Sequence, residues 1–205
     1  MSLRDATDLF SEWADKGKDR GMEKGHANSV HEMLKIADLP RKSNFTAIDV
    51  GCGNGWVCRL IGEDDFCSRI VGVDGSQKMV EKAKSLDADG EYYVAKLPHW
   101  KPDTTFDLIH SMEFLYYLKE PEKMLKIFHD IWLKSGGVAV IGIDHYLENE
   151  DSLDWAEALN VHMSTRSEKQ WEKAMLDAGF VDVSLHRVGV KDGFVGTLAM
   201  VGHKS

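Results

Sequence analysis

The chain has 205 residues, enough to bury the core of one ordinary domain, and one domain is expected. Its 25 Lys and Arg against 34 Asp and Glu leave a formal charge of -9, which opposes attraction to a phosphate backbone and disfavours nucleic acid as a partner. Cys52, Cys58 and Cys67 form neither an even framework nor a CxxC pair, which argues against disulfides and a structural zinc site and for a reducing cytoplasm; no metal ligand set is read from the spacing. Met1 to Phe10 is charged at Arg4, Asp5 and Asp8 and lacks an apolar leader core. No stretch approaches the roughly 18 apolar residues of a membrane span, so neither export nor membrane insertion is expected.

Two helical patterns precede Phe45. The first uses Leu9, Phe10 and Trp13, and the second uses Val30, Met33, Leu34 and Ala37 at three-to-four spacing. Between them, Lys16 to His26 sets three glycines among many charges, a poor helix interior, and a mobile connection is predicted there. From Phe45 onward short apolar runs alternate with helical patterns, the signature of βαβ units and a parallel sheet. Strands are predicted at 45–50, 69–74, 91–94, 106–110 and 137–143. The intervening helices bury Val57, Leu60 and Ile61, then Met79, Val80 and Ala83, then Met124, Leu125, Phe128 and Ile131. A last helix, Ser167 to Ala178, buries Trp171, Ala174 and Met175 and is capped by Gly179. Val181, Val183 and Leu185, then Phe194 to Val201, read as two closing strands, one antiparallel to the rest. The fold class is therefore α/β: a doubly wound, mostly parallel seven-stranded sheet.

The strongest local signal is Ala47-Ile48-Asp49-Val50-Gly51-Cys52-Gly53-Asn54-Gly55-Trp56, an apolar strand running into a glycine-rich turn and then a helix. In an open α/β sheet ligands bind at this place, outside the carboxyl end of a strand. A dinucleotide fingerprint would put its third glycine at 56, where Trp56 stands, so the pyrophosphate reading is weakened. The second strand ends Val71-Gly72-Val73-Asp74-Gly75-Ser76. A carboxylate at Asp74 can accept hydrogen bonds from both ribose hydroxyls of an adenosine, while Ser76 suits a helix N-cap.

With these motifs in order, the chain resembles class I S-adenosylmethionine-dependent methyltransferases, in the style of the small-molecule, quinone-biosynthesis type. Asp49 to Gly55 matches the family's acid-x-Gly-x-Gly-x-Gly motif. Val71 to Lys84, Phe106 to Tyr117 and Leu133 to Ile141 follow its later motifs, with Ser135 in place of the usual proline. The resemblance implies S-adenosylmethionine as cofactor and a small-molecule acceptor. It places Gly51, Cys52 and Gly53 at the methionine part, Asp74 at the ribose and Met79 near the adenine, with Asp49 and Gly75 also among the cofactor-binding residues. Ser111 would lie close to the sulfonium. Where the family often has an acid after the third strand, the chain reads Val94-Ala95-Lys96-Leu97-Pro98, so backbone groups of Ala95 and Lys96 are expected to hold the adenine. It also implies a division into an N-terminal helical lid (1–44), a cofactor-binding core (45–145), and an acceptor-covering insertion with the closing strands (146–205).

Methyl transfer from a sulfonium is an in-line displacement with a good leaving group, so positioning and desolvation supply much of the acceleration and a base is optional. His110, Glu113, Tyr116, His145 and Tyr146 follow strands four and five and are the candidates, each with a packing role as its alternative. The loop His110-Ser111-Met112-Glu113-Phe114 lacks the Asn/Asp-Pro-Pro-aromatic pattern of enzymes that methylate bases in nucleic acid. Trp155, His162 and Met163, in a long connection, are expected either to face the acceptor or to pack; Leu9 to His26 is expected either to form a lid with Trp13, Met22 and His26 facing the pocket or to be a solvated tether whose Trp13 packs against the outer helices. The alternatives kept open are a nicotinamide-dependent oxidoreductase and a non-catalytic protein that binds the same cofactor.

Overall fold

The computed structural model describes residues 2–39 and 43–205; residues 1 and 40–42, at the ends of the lid range, lie outside it. Seven strands form one sheet in the order β3-β2-β1-β4-β5-β7-β6, with β1 Phe45–Val50, β2 Cys67–Asp74, β3 Glu91–Val94, β4 Phe106–Met112, β5 Leu133–Ile143, β6 Val181–Val188 and β7 Thr197–His203. β3, β2, β1, β4 and β5 pair in parallel, and β7 runs antiparallel to both β5 and β6, as the sequence predicts. The strand order reverses between β1 and β4, which opens a crevice at their carboxyl ends.

β1 shows why the central strands read as continuous apolar runs. Phe45 and Ala47 join a core shared with Val30 and Met33 of α2 (Asp19–Ile36) and Val57 and Ile61 of α3 (Trp56–Gly62). Ile48 and Val50 point the other way, into a core with Leu125 of α5 (Pro121–Ile127) and Trp171 of α7 (Glu168–Ala178). A parallel sheet covered on both faces buries both sets of alternating side chains.

Three expectations change. α2 is one helix from Asp19 and contains Gly21 and Gly25, so the predicted mobile stretch shrinks to a turn at 16–18 after α1 (Ala6–Asp15). β5 begins at Leu133 rather than 137, because the register slips between Phe106↔Leu133 and Leu108↔Val138 and absorbs the Ser135-Gly136-Gly137 turn within the strand. Ile131 is exposed and Trp132 takes its place in the core, because Phe128–Trp132 winds as a π-turn that rotates the apolar face by about one residue. The last helix, Glu168–Ala178, is closed by Gly179 at φ 107° as predicted, and its N-terminus carries a capping box of Ser167 and Gln170 that the sequence reading did not single out.

Candidate cofactor and acceptor site

Three glycines shape the loop after β1. Gly51 and Cys52 donate their backbone N–H groups to Val73 O at 2.8 and 3.1 Å, holding the loop against the end of β2. Gly55 sits at φ 76°, and a Cβ there would lie 2.6 Å from the Tyr92 ring, so only glycine serves. This places the third glycine at 55 rather than 56, and Trp56 starts α3 with its N–H on Asn54 Oδ1 at 3.1 Å. Gly53, at φ 53°, has nothing within 4 Å of where a side chain would be: its missing Cβ leaves room beside the backbone.

Asp74 organises the next wall. One carboxylate oxygen accepts the Gly53 N–H at 2.9 Å and the other accepts the Ser76 N–H at 2.7 Å, so the residue ties the loop to the start of α4 (Gln77–Leu86). Burial raises its pKa, and the Ser76 and Gly53 amides oppose that rise. Ser76 caps α4, accepting from Met79 N at 3.3 Å. Asp49, at the end of β1, is buried and pairs with His110 Nδ1 at 2.7 Å, while His110 Nε2 is buried with no partner.

These walls bound a cavity of about 440 Å³ at the crevice. Asp49, Gly51, Cys52, Gly53, Asp74, Gly75, Met79, Ala95 and Lys96 all line it, nine of the ten residues singled out from the sequence. Ser111 does not: it is fully buried, and its hydroxyl donates to Val50 O at 2.8 Å. β4 runs on to Met112, and Met112, Glu113 and Phe114 reach the cavity instead.

Helices ahead of the sheet roof the cavity. Ala6, Thr7 and Phe10 of α1 and Asp19, Met22 and His26 of α2 face into it. Thr7 lies so near Gly75 that a Cβ there would come within 2.5 Å of its methyl carbon. Asp19 is a buried clasp, accepting from Asn54 Nδ2 at 2.9 Å and pairing with Lys82 Nζ of α4 at 2.6 Å. Trp13 packs edge-on against Phe10, ring centroids 5.4 Å apart, and does not reach the cavity wall.

Among the five candidate bases only Glu113 lines the cavity. Its backbone is left-handed, φ 56°, and its carboxylate accepts from Tyr116 Oη at 2.6 Å and from Asp144 N. Burial, with the Asp144 charge beside it, pushes the carboxyl up to about 8. His145 is spent on Ser152 O and Thr165 Oγ1, and Tyr146 donates to Gly196 O at 2.8 Å. Trp155, His162 and Met163 also miss the cavity: Trp155 and Met163 pack on the core, and His162 bonds Ser164 Oγ at 3.2 Å. Asp144 was not singled out from the sequence, yet it lies beside Glu113 and His26. Only the fold brings the three together, so no spacing signalled it.

The cavity wall carries Asp5, Asp19, Asp49 and Asp74 against one lysine, Lys96; Glu113, with its carboxyl pushed up to about 8, adds no full charge near pH 7. An acidic wall suits a ligand bearing a sulfonium and an ammonium, and the open space at Gly53 admits one close to the backbone.

A crevice beside a reversed strand order, a three-glycine loop and an acid ending β2 define a nucleotide-type site, and family comparison names its class. The family model described as "Methyltransferase domain" matches residues 3–185, and the chain belongs to that family of S-adenosylmethionine-dependent methyltransferases. The nicotinamide reading is not favoured. Among individual proteins, the chain is similar to the methyltransferase solved in complex with the Trm112 methyltransferase activator of Haloferax volcanii, with 28% identity and a TM-score of 0.82 over 98% of this chain and 99% of that one. An S-adenosylmethionine-dependent methyltransferase of Mesorhizobium loti shares the fold, with a TM-score of 0.69 at 21% identity over 88% of this chain and 98% of that one. Curated relatives include trans-aconitate 2-methyltransferase of Escherichia coli, 27% identical over 55% of this chain; the chain spans about half of that relative, 45% of its length. No helix among the described residues is long and apolar enough to cross a membrane.

Proposed function

We propose that the cavity binds S-adenosylmethionine and that the chain transfers its methyl group to a small-molecule acceptor. The observation that carries this reading is the joint placement of the Gly51–Gly53 loop and the Asp74 carboxylate on one enclosed wall. Gly51, Cys52 and Gly53, with Asp49 behind them, hold the methionine part. Asp74 and Gly75 hold the ribose, and Met79 with the backbone of Ala95 and Lys96 holds the adenine. Each Asp74 oxygen already accepts one amide and has a lone pair free for a ribose hydroxyl. Bound cofactor supplies the electrophilic methyl group. The chain fixes the in-line approach and excludes water beneath α1 and α2, and these effects supply much of the acceleration.

Titration calorimetry of the full chain with S-adenosylhomocysteine and with NAD tests the cofactor: saturable binding of the first alone is expected. Release of S-adenosylhomocysteine from S-adenosylmethionine in a mixture of small metabolites separates an enzyme from a non-catalytic binder. The E. coli relatives carry the name of a small acid acceptor, which favours including carboxylic acids in that mixture. A protein activator is a second element of this reading, supported by the Haloferax complex and by the exposed Tyr93 and Val94 on the open edge strand β3. Co-expression with a Trm112-type protein is expected to give one co-eluting species; separate elution removes the partner from the proposal.

A further inference from the structure

Three groups from distant parts of the chain meet on the cavity side of the sheet: His26 from α2, Glu113 after β4 and Asp144 after β5. One ligand atom from each lies within 4.8 Å of the other two, and His26 Nε2 stands 3.4 Å from Asp144 Oδ2. His26 and Glu113 both line the cavity. The Asp144 side chain is only 7% exposed, and its other oxygen, Oδ1, is buried with no hydrogen-bond partner. His26 meets only Oδ2 of Asp144, so Oδ1 is left as a buried carboxylate oxygen without a partner, which is costly.

We propose that His26, Glu113 and Asp144 form a binding site for one first-row divalent cation, with its remaining coordination positions open to the cavity. Ligands about 2.1 Å from such a cation stand roughly 3 to 4 Å apart, so a small contraction of the present triangle closes the site. One nitrogen and two carboxylate oxygens suit zinc, manganese, cobalt or iron better than a soft thiophilic metal. One outer-shell contact is in place: Tyr116 Oη donates to Glu113 Oε2 at 2.6 Å. Three protein ligands with open positions are the arrangement of a site that takes substrate, so the acceptor class is one that offers an oxygen to the metal. This deepens the methyltransferase reading and rests on it for the acceptor. The cation also joins α2 to the ends of β4 and β5, so it fastens the roof.

The test is titration of the chelator-stripped full chain with Mn²⁺, Zn²⁺ or Co²⁺ in the absence of cofactor. Calorimetry gives the stoichiometry, and the Co²⁺ visible spectrum reports the ligand field. One equivalent is expected to bind, with slower amide exchange in α2. Asp144→Asn is expected to weaken binding by more than the roughly tenfold cost of losing an outer-shell partner. His26→Gln, at a helix position 23% exposed in its side chain, serves should the buried variant fail to fold. A flat titration in the wild-type chain overturns the proposal, as does equal affinity in a folded His26→Gln variant. An amine acceptor seated on the same carboxylates would give that flat result. S-adenosylhomocysteine binding to the wild-type chain in excess chelator is read separately, so failure of the metal site and failure of the cofactor reading stay distinguishable.

Discussion

At the residue scale, two carboxylates of the cavity wall have different tasks. Asp74 spends its oxygens on the Gly53 and Ser76 amides and keeps lone pairs for a ligand, so Asp74→Ala is expected to weaken S-adenosylhomocysteine binding by about 1.5–3 kcal/mol, the range for hydrogen bonds to charged groups. Calorimetric affinity equal to wild type would take Asp74 out of the site. Asp49, at the back of the cavity wall, spends one oxygen on His110 at 2.7 Å. Removing the imidazole leaves a buried carboxylate without its partner, and His110→Ala is expected to lower unfolding free energy by about 3–5 kcal/mol in urea titration. A loss under about 1 kcal/mol would mean that water or another group replaces the histidine. Gly53→Val is expected to abolish cofactor binding in a folded chain, since the side chain enters the open space beside the loop and is strained at φ 53°. Retained binding there would show that the loop is not the cradle.

At the scale of elements, α2 is the instructive case. Two glycines cost a helix interior about 1 kcal/mol each relative to alanine, and local propensity alone predicts a flexible link. The helix nonetheless runs through them, because its first residue, Asp19, is fixed by Asn54 and Lys82 and its later turns bury Val30 and Met33. Burial pushes the Asp19 pKa up, but the Lys82 and Asn54 hydrogen bonds outweigh it and the net shift is down. A carboxylate held below its unfolded value contributes stability in full above that value, about 3.9, and loses it as pH falls through the folded value. The clasp is therefore expected to release below about pH 4. Asp19→Asn should flatten that acid limb of a stability profile and speed amide exchange in the first turns of α2 at neutral pH. An unchanged acid limb would show that the clasp carries no charge-dependent stability.

At the scale of the whole molecule, residues of α1 and α2 line the cavity at the carboxyl ends of the strands, and we propose that these helices act as a lid over it. Hydrogen exchange across 5–26 is expected to slow when S-adenosylhomocysteine saturates the chain; identical exchange with and without ligand would make these helices a fixed wall. The sequence by itself determined the strand and helix order, the glycine loop, the acid ending β2 and the caps at Ser76 and Gly179. Each depends on local chemistry: a period of two or 3.6, a side chain that satisfies a nearby amide, or a residue without a Cβ. Nine of the ten proposed cofactor residues lie on the cavity for the same reason, since the loop and the strand ends carry them there. Tertiary structure alone decided the rest. Ser111 turned inward because β4 continues one residue beyond it and the alternating pleat assigns the wall to Met112. Packing decided the continuity of α2, and the π-turn exchanged Ile131 for Trp132. The meeting of His26, Glu113 and Asp144 joins three distant segments at one sheet edge, a juxtaposition that no periodicity encodes because strand order, not chain order, creates it.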